Sequence, residues 1–476
     1  MNNGRYKWII CGLLFFATTV NYLDRQVLSL TYPDMIEKEF HWDEAMYGTI
    51  TGLFSIVYAL AMLFAGKLID WLGSKKGYLW AIGIWSTGAC LHALCGIGTE
   101  LITGIDNLKS PEMVQLAAGS KMALAISTVS VWLFISARCL LAIGESGNFP
   151  AAIKVTAECF EPKDRAFATS IFNSGCSIGA LIAPFAIPLI AKYYGWEMAF
   201  VIIGALGYVW MGFWIFLYKN PKDCVERNDS KVSTPCPERE GRGKGLQGQS
   251  STLNPQPSTL NPEFKPFRMR ETWALFLCRL FSDGGWWFFL FWTPMYLNTQ
   301  FGIKPTDTEG MILIFVLYLI TMLSIFGGKL PNVFINKGKS AFDSHVLSMF
   351  VFACIPLLGL FAQPAGEIFH SPWAPIILIG ILGASHQSWS ANMFSVISDK
   401  FPQSSTATVT SLSGAFGGVS NFLLNIIAGY LFVYADRVQL EFMGFVGKPA
   451  GYMIMFCWCG IAYLIGWSML KLLMRK

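Results

Sequence analysis

Apolar stretches of about 20 residues recur along nearly the whole chain, and each is long enough to cross a bilayer core of ~30 Å. The pattern predicts spans at 8–33, 46–70, 78–99, 123–150, 166–192 and 198–218, and then at 271–299, 310–335, 343–364, 372–396, 406–434 and 450–473. Six helices, a linker and six helices match two parallel repeats related by an axis along the membrane normal. We therefore expect an all-α polytopic membrane protein with twelve transmembrane helices.

The predicted units are an N-terminal six-helix bundle at 1–218, a linker at 219–267 and a C-terminal six-helix bundle at 268–476. The linker is polar, rich in Pro, Gly and Ser, and contains a tandem repeat in which STLNPQP is followed by STLNPEF. Such a composition cannot bury a core, so we expect a flexible cytoplasmic segment. The loop predicted at 100–121 is longer than most loops of this pattern, and the sequence assigns it no function.

Composition narrows the class of protein. The chain is 54% hydrophobic and 14% charged, whereas soluble domains carry about 25% charged residues. No basic block suggests a nucleic-acid partner, and the 12 cysteines and 5 histidines show no metal-ligand spacing. No nucleophile–base pair or phosphate-binding loop stands out. The sequence therefore favours a membrane protein without cofactor or metal, and it argues against an enzyme. We expect a monomer, although no pattern in the sequence determines the oligomeric state.

The distribution of basic residues predicts the orientation. Of the 35 Lys and Arg residues, 25 lie on or beside segments predicted to be cytoplasmic and 7 on or beside external ones. The linker and the two arginines that follow it, Arg268 and Arg270, contribute 10 of the 25, and charges in long loops count for less, but the bias persists without them. Both termini are therefore predicted to be cytoplasmic.

A gating motif is predicted where the second span ends. Gly66, Asp70, Gly73, Lys75 and Lys76 follow a G-x-x-x-D-x-x-G-x-K-K spacing. The glycines permit a tight turn and close helix approach. Asp70 can pair with a basic neighbour when the protein is open to the outside. The alternative is an ordinary positively charged cytoplasmic loop.

A degenerate copy of this motif occurs at the matching place in the second half, between the eighth and ninth predicted spans. It runs from Gly327 to Lys339, with Asn332 where the acid would be. The copy supports an internal repeat.

Four ionisable residues fall inside predicted spans, Asp24 and Arg25 in the first and Arg138 and Glu145 in the fourth. A charge at the bilayer centre costs at least ~2.5–3.5 kcal/mol, so these side chains should face a shared polar cavity rather than lipid. Arginine offers a planar fork that matches a carboxylate. A carboxylate in a partly dry cavity can carry a proton, which would link anion binding to proton binding. The alternative is that these charges form ion pairs that only hold the two spans together.

Aromatic and amide side chains in other spans are candidate ligands for a polar organic substrate. Aromatic faces suit a sugar ring, and amides can bind hydroxyl groups. An aromatic residue in an apolar protein is equally expected to be packing. The candidates are Tyr22, Tyr58, Trp286, His386, Gln387, Asn392 and Asn421.

Several motifs resemble the anion:cation symporter branch of the major facilitator superfamily. They include the runs Asn21–Arg25, Arg138–Pro150 and Phe160–Thr169, while Ile171–Pro184 and His386–Asn392 are most similar to the hexuronate transporters of that branch. The similarity extends over nearly the whole chain outside the linker. Among the departures, Gly284 stands where we expect proline.

The resemblance implies import of a sugar-acid anion, such as galacturonate or glucuronate, together with protons across the bacterial inner membrane. It assigns the substrate carboxylate to Arg25, proton coupling to Asp24 and Glu145, and the role of arginine partner to Arg138. Tyr22 and Tyr58 correspond to cavity tyrosines of the branch.

Two other functions stay open from the sequence. One is a related symporter or exchanger for an aldonate or another organic anion. The other, from a different class, is a membrane sensor derived from a transporter, although the chain shows neither an added signalling domain nor a lost set of charges.

Overall fold

The computed structural model describes residues 3–117, 119–160, 162–219, 266–401 and 403–474, and nearly all of the predicted linker at 219–267 lies outside the described residues. The first half consists of ten helices among these residues. They are α1 (Asn3–Thr31), α2 (Glu37–Phe40), α3 (Glu44–Leu72), α4 (Ser74–His92), α5 (Cys95–Thr103), α6 (Pro111–Val114), α7 (Lys121–Glu145), α8 (Asn148–Cys159), α9 (Pro162–Tyr194) and α10 (Trp196–Leu217). A π-helical turn, Tyr32–Ile36, joins α1 to α2.

The second half contains eight helices among the described residues. They are α11 (Arg270–Phe301), α12 (Thr308–Thr321), α13 (Leu330–Ile335), α14 (Ala341–Cys354), α15 (Ala362–Ile368), α16 (Trp373–Lys400), α17 (Gln403–Val438) and α18 (Lys448–Met474). Short 3₁₀ segments lie at Pro266–Arg268, Met322–Lys329 and Ile355–Phe361. A two-stranded antiparallel hairpin, β1 (Glu441–Phe442) and β2 (Phe445–Val446), precedes α18 and is a small addition to the predicted all-α fold.

Ten helices of the described residues are long and apolar enough to cross a membrane, and a bent pair raises the number to eleven. That pair is α4 and α5, which meet at an angle of 53°. The predicted third span, 78–99, runs across this break because the sequence stays apolar through it. The 28 residues of α16 would extend about 42 Å, but polar side chains lower its hydropathy. The count of twelve stays a prediction.

Small residues let the helices pack closely. In α9, a Cβ on Gly175 or Gly179 would lie 2.6 Å from the backbone oxygen of Phe15 or Thr19 in α1. The two glycines are four residues apart and therefore share one face of α9. This small-xxx-small spacing is typical of helix pairs in membranes. It fixes α1, which carries Asp24 and Arg25, against α9.

The two halves meet most extensively along α3 and α17. We call the end of the bundle opposite the chain termini the external end, after the predicted orientation. Cross-half hydrogen bonds and ion pairs of the described residues gather between the middle of the bundle and this end, which indicates that the two halves are closed against each other there. They include Tyr47 with the Phe291 carbonyl at 2.8 Å, Thr306 with Asp34 at 2.6 Å and Lys448 with Glu44 at 2.5 Å.

Candidate functional site

The structure brings the four predicted intramembrane charges together in one cluster. Asp24 and Arg25 lie in α1, and Arg138 and Glu145 lie in α7; none is more than 3% exposed. Nε of Arg25 donates to Oε2 of Glu145 at 2.7 Å. The two residues are 120 positions apart, so the pair joins the first span to the fourth. We call these four residues the charge cluster.

The charge cluster keeps unused hydrogen-bonding capacity. Among the described residues, neither oxygen of Asp24 has a hydrogen-bond partner, and the same is true of Oε1 of Glu145, Nη2 of Arg25 and Nε of Arg138. Buried polar atoms without partners are costly. The cluster can therefore accept a proton, an anion or ordered water without breaking its one ion pair.

Aromatic rings surround the guanidinium group of Arg25. Its Cζ lies 5.3 Å from the ring centroid of Tyr22, 4.7 Å from Tyr58 and 5.3 Å from Trp287. Rings at such distances stabilise a cation through their negative faces. Tyr22 and Tyr58 were predicted to be near the charges. Trp287 belongs to the second half and was not among the predicted site residues, although the aromatic run in its span had singled out the adjacent Trp286.

Trp286 points to a different neighbour. Its ring stacks on His386 with 5.7 Å between centroids and an interplanar angle of 3°. Nδ1 of His386 in turn lies 2.8 Å from the hydroxyl of Tyr463 in α18. Gln387, the next residue, is partly buried. Trp286 and His386 thus form a layer inside the second half, next to the helix position that presents Trp287 to Arg25.

The two candidate asparagines, Asn392 and Asn421, are already hydrogen-bonded to side chains of neighbouring helices. Oδ1 of Asn392 lies 3.1 Å from Nδ1 of His345 in α14. Nδ2 of Asn421 donates to Oγ of Ser55 at 2.5 Å, and Oδ1 of Asn421 accepts from Asn425 at 2.5 Å. Both polar ends of the Asn421 side chain are therefore occupied at the α3–α17 interface. A substrate could reach this amide only by displacing those partners.

The predicted gating motif forms the turn between α3 and α4. Gly73 separates the helices with φ of 77°, a conformation that side chains rarely adopt. Asp70 pairs with Lys154 of α8 at 2.9 Å, and Lys75 donates to the Ile215 carbonyl at 3.1 Å. The other two residues of the motif have more open surroundings: Lys76 is exposed, and a Cβ on Gly66 would have no heavy atom within 4 Å.

Residues outside the predicted set complete this turn. Oγ of Ser74 donates to one carboxylate oxygen of Glu158 at 2.6 Å, and the hydroxyl of Tyr218 donates to the other at 2.9 Å. Lys154 and Glu158 are four residues apart in α8, so they lie on one face of that helix. The i, i+4 spacing of these two opposite charges could have marked them as candidates from the sequence. The spacing alone does not show which residues of other helices they contact.

No group of three His, Cys, Asp or Glu side chains within the described ranges could hold a metal ion. The chemistry that the charge cluster offers is binding of an anion by arginine and of a proton by a carboxylate.

Curated proteins similar to this chain are transporters. The hexuronate transporter of Escherichia coli (strain K12) is 26% identical over 430 residues, which covers 89% of this chain and 87% of that protein. The galacturonate transporter of Dickeya chrysanthemi is 28% identical over 69% of this chain and 82% of its own. A probable galactarate/D-glucarate transporter of Escherichia coli (strain K12), GarP, is 23% identical over 92% of this chain and 91% of its own.

The fold is also that of solved transporters. A crystal structure of a D-xylose–proton symporter superposes with a TM-score of 0.69 at 12% sequence identity, covering 99% of each chain. The sequence model described as Major Facilitator Superfamily matches residues 14–425. The predicted fold class and the prediction that the chain is not an enzyme are thereby confirmed, and the chain belongs to the Major Facilitator Superfamily of multi-pass membrane transporters.

Proposed function

We propose that this transporter imports a hexuronate, galacturonate or glucuronate, together with protons by alternating access. The observation that carries the proposal is the charge cluster, in which Arg25 is paired with Glu145 and five polar atoms lack partners among the described residues. The similarity to hexuronate and galacturonate transporters supports the substrate class.

Arg25 is the proposed ligand of the substrate carboxylate. Its Nη2 has no partner among the described residues, and its Nε is held only by Glu145. A carboxylate that approaches the free edge of the guanidinium group gains charge-assisted hydrogen bonds. The sugar ring can then lie against Tyr22, Tyr58 and Trp287, whose faces already surround this cation.

Glu145 and Asp24 are the proposed proton carriers. When a substrate carboxylate competes for Arg25, Glu145 loses part of the charge that stabilises its ionised form, and a buried carboxylate without a counter-charge favours protonation. Asp24 responds to both neighbours, since Arg138 attracts its carboxylate and Glu145 repels it. Binding of the anion and binding of the proton thus promote each other, which is the thermodynamic requirement for symport.

The remaining predicted residues are proposed to act in the second half and at the gates. His386, Gln387, Asn392 and Asn421 would contact substrate hydroxyl groups once the halves rearrange. Asp70 and the glycine and lysine residues of its motif would control the cytoplasmic end. We further propose that the chain works as a monomer in the bacterial inner membrane with both termini in the cytoplasm.

An aldonate, an aldarate or another organic anion is the second candidate substrate. The similarity to a probable galactarate/D-glucarate transporter favours keeping it. A sensor would bind the same anion without moving it, so measured transport separates the two classes.

The decisive experiment is uptake by the purified protein in proteoliposomes with an imposed pH gradient. Galacturonate, glucuronate, an aldonate, an aldarate and a neutral hexose are offered separately. We expect accumulation of a hexuronate that collapses when the gradient is dissipated. Accumulation of the neutral hexose alone, or saturable binding of an acid without any uptake, would contradict the proposal.

Variants of the proton carriers refine this test. Glu145→Gln and Asp24→Asn should exchange substrate across the membrane but lose accumulation driven by the pH gradient. Glu441→Gln, an exposed acid in β1, is the matched control and should accumulate normally. Normal accumulation by both cluster variants would show that protons are coupled elsewhere or not at all.

A further inference from the structure

A groove on the surface of the first half runs along α4 and is also lined by α7 and α10. Its volume is about 430 Å³, within the range of small-molecule sites. Both α7 and α10 lie in candidate membrane spans, and α4 forms one together with α5. We call this the α4–α10 groove. Its wall includes Trp80, Gly83 and Thr87 of α4, Leu140 of α7, and Tyr208 and Met211 of α10.

The α4–α10 groove is open on its outer side, where a membrane protein meets lipid. Trp80 is 62% exposed and Tyr208 is 43% exposed. The hydroxyl groups of the groove are already paired. Thr87 donates to the Gly83 carbonyl at 2.7 Å, so the Tyr208 hydroxyl, 2.7 Å from Oγ1 of Thr87, is the donor to it. Neither hydroxyl has a proton left for a polar ligand, so the wall suits a hydrocarbon chain.

The face of α4 that forms the groove continues to a lysine at the end of the bundle that carries the chain termini. Lys76, Trp80, Gly83 and Thr87 are separated by four, three and four positions, which places them on one face of the helix. Lys76 and Thr87 are therefore about 16 Å apart along the axis. That is about half of a bilayer core of ~30 Å. The groove thus has the length of one acyl chain in one leaflet, with Lys76 at the headgroup end.

Two lysines place positive charge at the headgroup end of the groove. Lys76 is exposed, and neither it nor Lys75 pairs with an acid among the described residues. Nζ of Lys75 donates to the Ile215 carbonyl in the last turn of α10 at 3.1 Å, which places its charge where α4 and α10 meet. An ammonium group has three N–H donors, so two remain for another acceptor. The nearby acids Asp70 and Glu158 are already engaged by other side chains. An anionic headgroup complements this end.

We propose that the α4–α10 groove binds an anionic phospholipid, with one acyl chain along α4 and the phosphate at Lys75 and Lys76. Trp80 lies one helical turn from Lys76, at the headgroup level where tryptophan is enriched. With the chain termini in the cytoplasm, the lipid belongs to the inner leaflet. The site faces lipid and shares no residue with the charge cluster, so this proposal stands or falls separately from the proposed transport function.

Native mass spectrometry of the purified full chain tests the headgroup end. The protein is equilibrated with equimolar phosphatidylglycerol and phosphatidylethanolamine that carry the same acyl chains, so that the two lipids differ only in their headgroups. We expect phosphatidylglycerol to be retained about tenfold more than phosphatidylethanolamine. Lys76→Gln should reduce that preference about fivefold, which is the effect of one basic side chain near an anionic headgroup. The matched control is Lys471→Gln, an exposed lysine at the same end in α18, which should keep the preference.

A glycine variant tests the position of the acyl chain. A Cβ on Gly83 would lie 3.5 Å from the Met211 side chain, which is an ordinary contact, so a larger side chain can extend into the groove without forcing α4 and α10 apart. Gly83→Leu should lower retention of phosphatidylglycerol several-fold. Gly328→Leu is the matched control, because it lies in the second half and its Cβ would have no heavy atom within 4 Å.

Other occupants of the groove give different results. Equal retention of the two phospholipids, or a preference in Lys76→Gln that equals that of Lys471→Gln, would overturn the proposal. Release of the lipid by inorganic phosphate, but not by chloride of the same ionic strength, would also overturn it, because a free anion would then suffice. A dimer that carries no lipid would show that a second copy covers the groove. If Gly83→Leu elutes as aggregate in size-exclusion chromatography, the result for the exposed Lys76 decides alone.

Discussion

The ion pair in the charge cluster and the ion pairs at the two ends of the bundle differ in exposure and in what they connect. Arg25 and Glu145 are 3% and 0% exposed and join two helices of the first half. At the external end, Lys448 and Glu44 are 26% and 6% exposed and join the two halves. At the opposite end, the Lys154–Asp70 pair is the most open, since Asp70 is 68% exposed.

This difference in exposure distinguishes an ion pair expected to act in binding from ion pairs expected to act in closing or stabilising the bundle. A buried ion pair is poor evidence for stability, because the cost of removing two charges from water can exceed their attraction. A fully buried pair with unpartnered atoms beside it therefore supports the proposed binding of substrate and protons more than a role in stability. We expect the cross-half pair instead to bias which end of the carrier is closed, and the exposed pair to contribute little to stability. The expected effects of mutation follow the same order.

The largest effect is expected at Arg25. Arg25→Ala should lower hexuronate uptake in proteoliposomes roughly 100-fold, because truncating one member of a buried charge pair costs about 2–5 kcal/mol. Arg25→Lys keeps the charge but loses the planar fork, so uptake should fall about tenfold. The matched control is Arg437→Ala, an exposed arginine near the end of α17. If Arg25→Ala takes up as much hexuronate as that control, the anion does not bind at the charge cluster.

Neutralising each of the two acids of the cluster should change the stability of the protein by a different amount. Glu145→Gln leaves Arg25 without its counter-charge, which costs about 3–5 kcal/mol for a buried pair. Asp24→Asn removes a carboxylate that forms no hydrogen bond with the described residues but is attracted by Arg138, so its cost in stability should be smaller. Thermal unfolding of both variants in the same detergent checks this. Equal loss of stability would mean that Asp24 has a partner equivalent to Arg25.

The sequence predicted the charge cluster because lipid makes each isolated charge expensive, so Asp24, Arg25, Arg138 and Glu145 had to share a polar interior. Trp287 escaped prediction because it is one of several adjacent aromatic residues, and one position along a helix turns a side chain by about 100°. Only the tertiary packing of α11 against α1 selects it over Trp286.

Other parts of the fold needed contacts that no local pattern contains. The break between α4 and α5 lies in apolar sequence, so hydropathy continues through it. Ser55, which accepts from Asn421, and Lys154, which pairs with Asp70, both lie far along the chain from those partners. Spacing predicted that Asp70 would meet a basic neighbour, but Lys154 was one of several lysines available.

An intermediate effect is expected at the cross-half pair. Lys448→Ala removes the contact with Glu44 and a longer one of 3.9 Å with Asp436, which should favour opening of the external end. Cys176 interacts with Tyr22 beside the charge cluster and reports on this opening. In intact cells, a membrane-impermeant thiol reagent should label Cys176 several-fold faster in the variant, as measured by mass spectrometry of the peptide.

The same helix supplies the control for that measurement. Lys471→Ala changes a lysine in the last turn of α18, at the opposite end of the bundle. Its Cys176 labelling should equal that of the unmodified chain. If Lys448→Ala labels no faster than Lys471→Ala, the Lys448–Glu44 contact does not contribute to closing the external end.

The smallest effect is expected at the exposed pair. Asp70→Asn and Lys154→Gln should each change the free energy of unfolding by less than about 1 kcal/mol, because solvent screens the charges. A double-mutant cycle isolates their coupling, since each single variant removes the same 2.9 Å contact. A coupling energy well above about 1 kcal/mol would mean that this exposed pair interacts as strongly as a buried pair. It would mean that the gating motif stabilises the fold as well as the position of α8, and that exposure alone does not rank the ion pairs of this carrier.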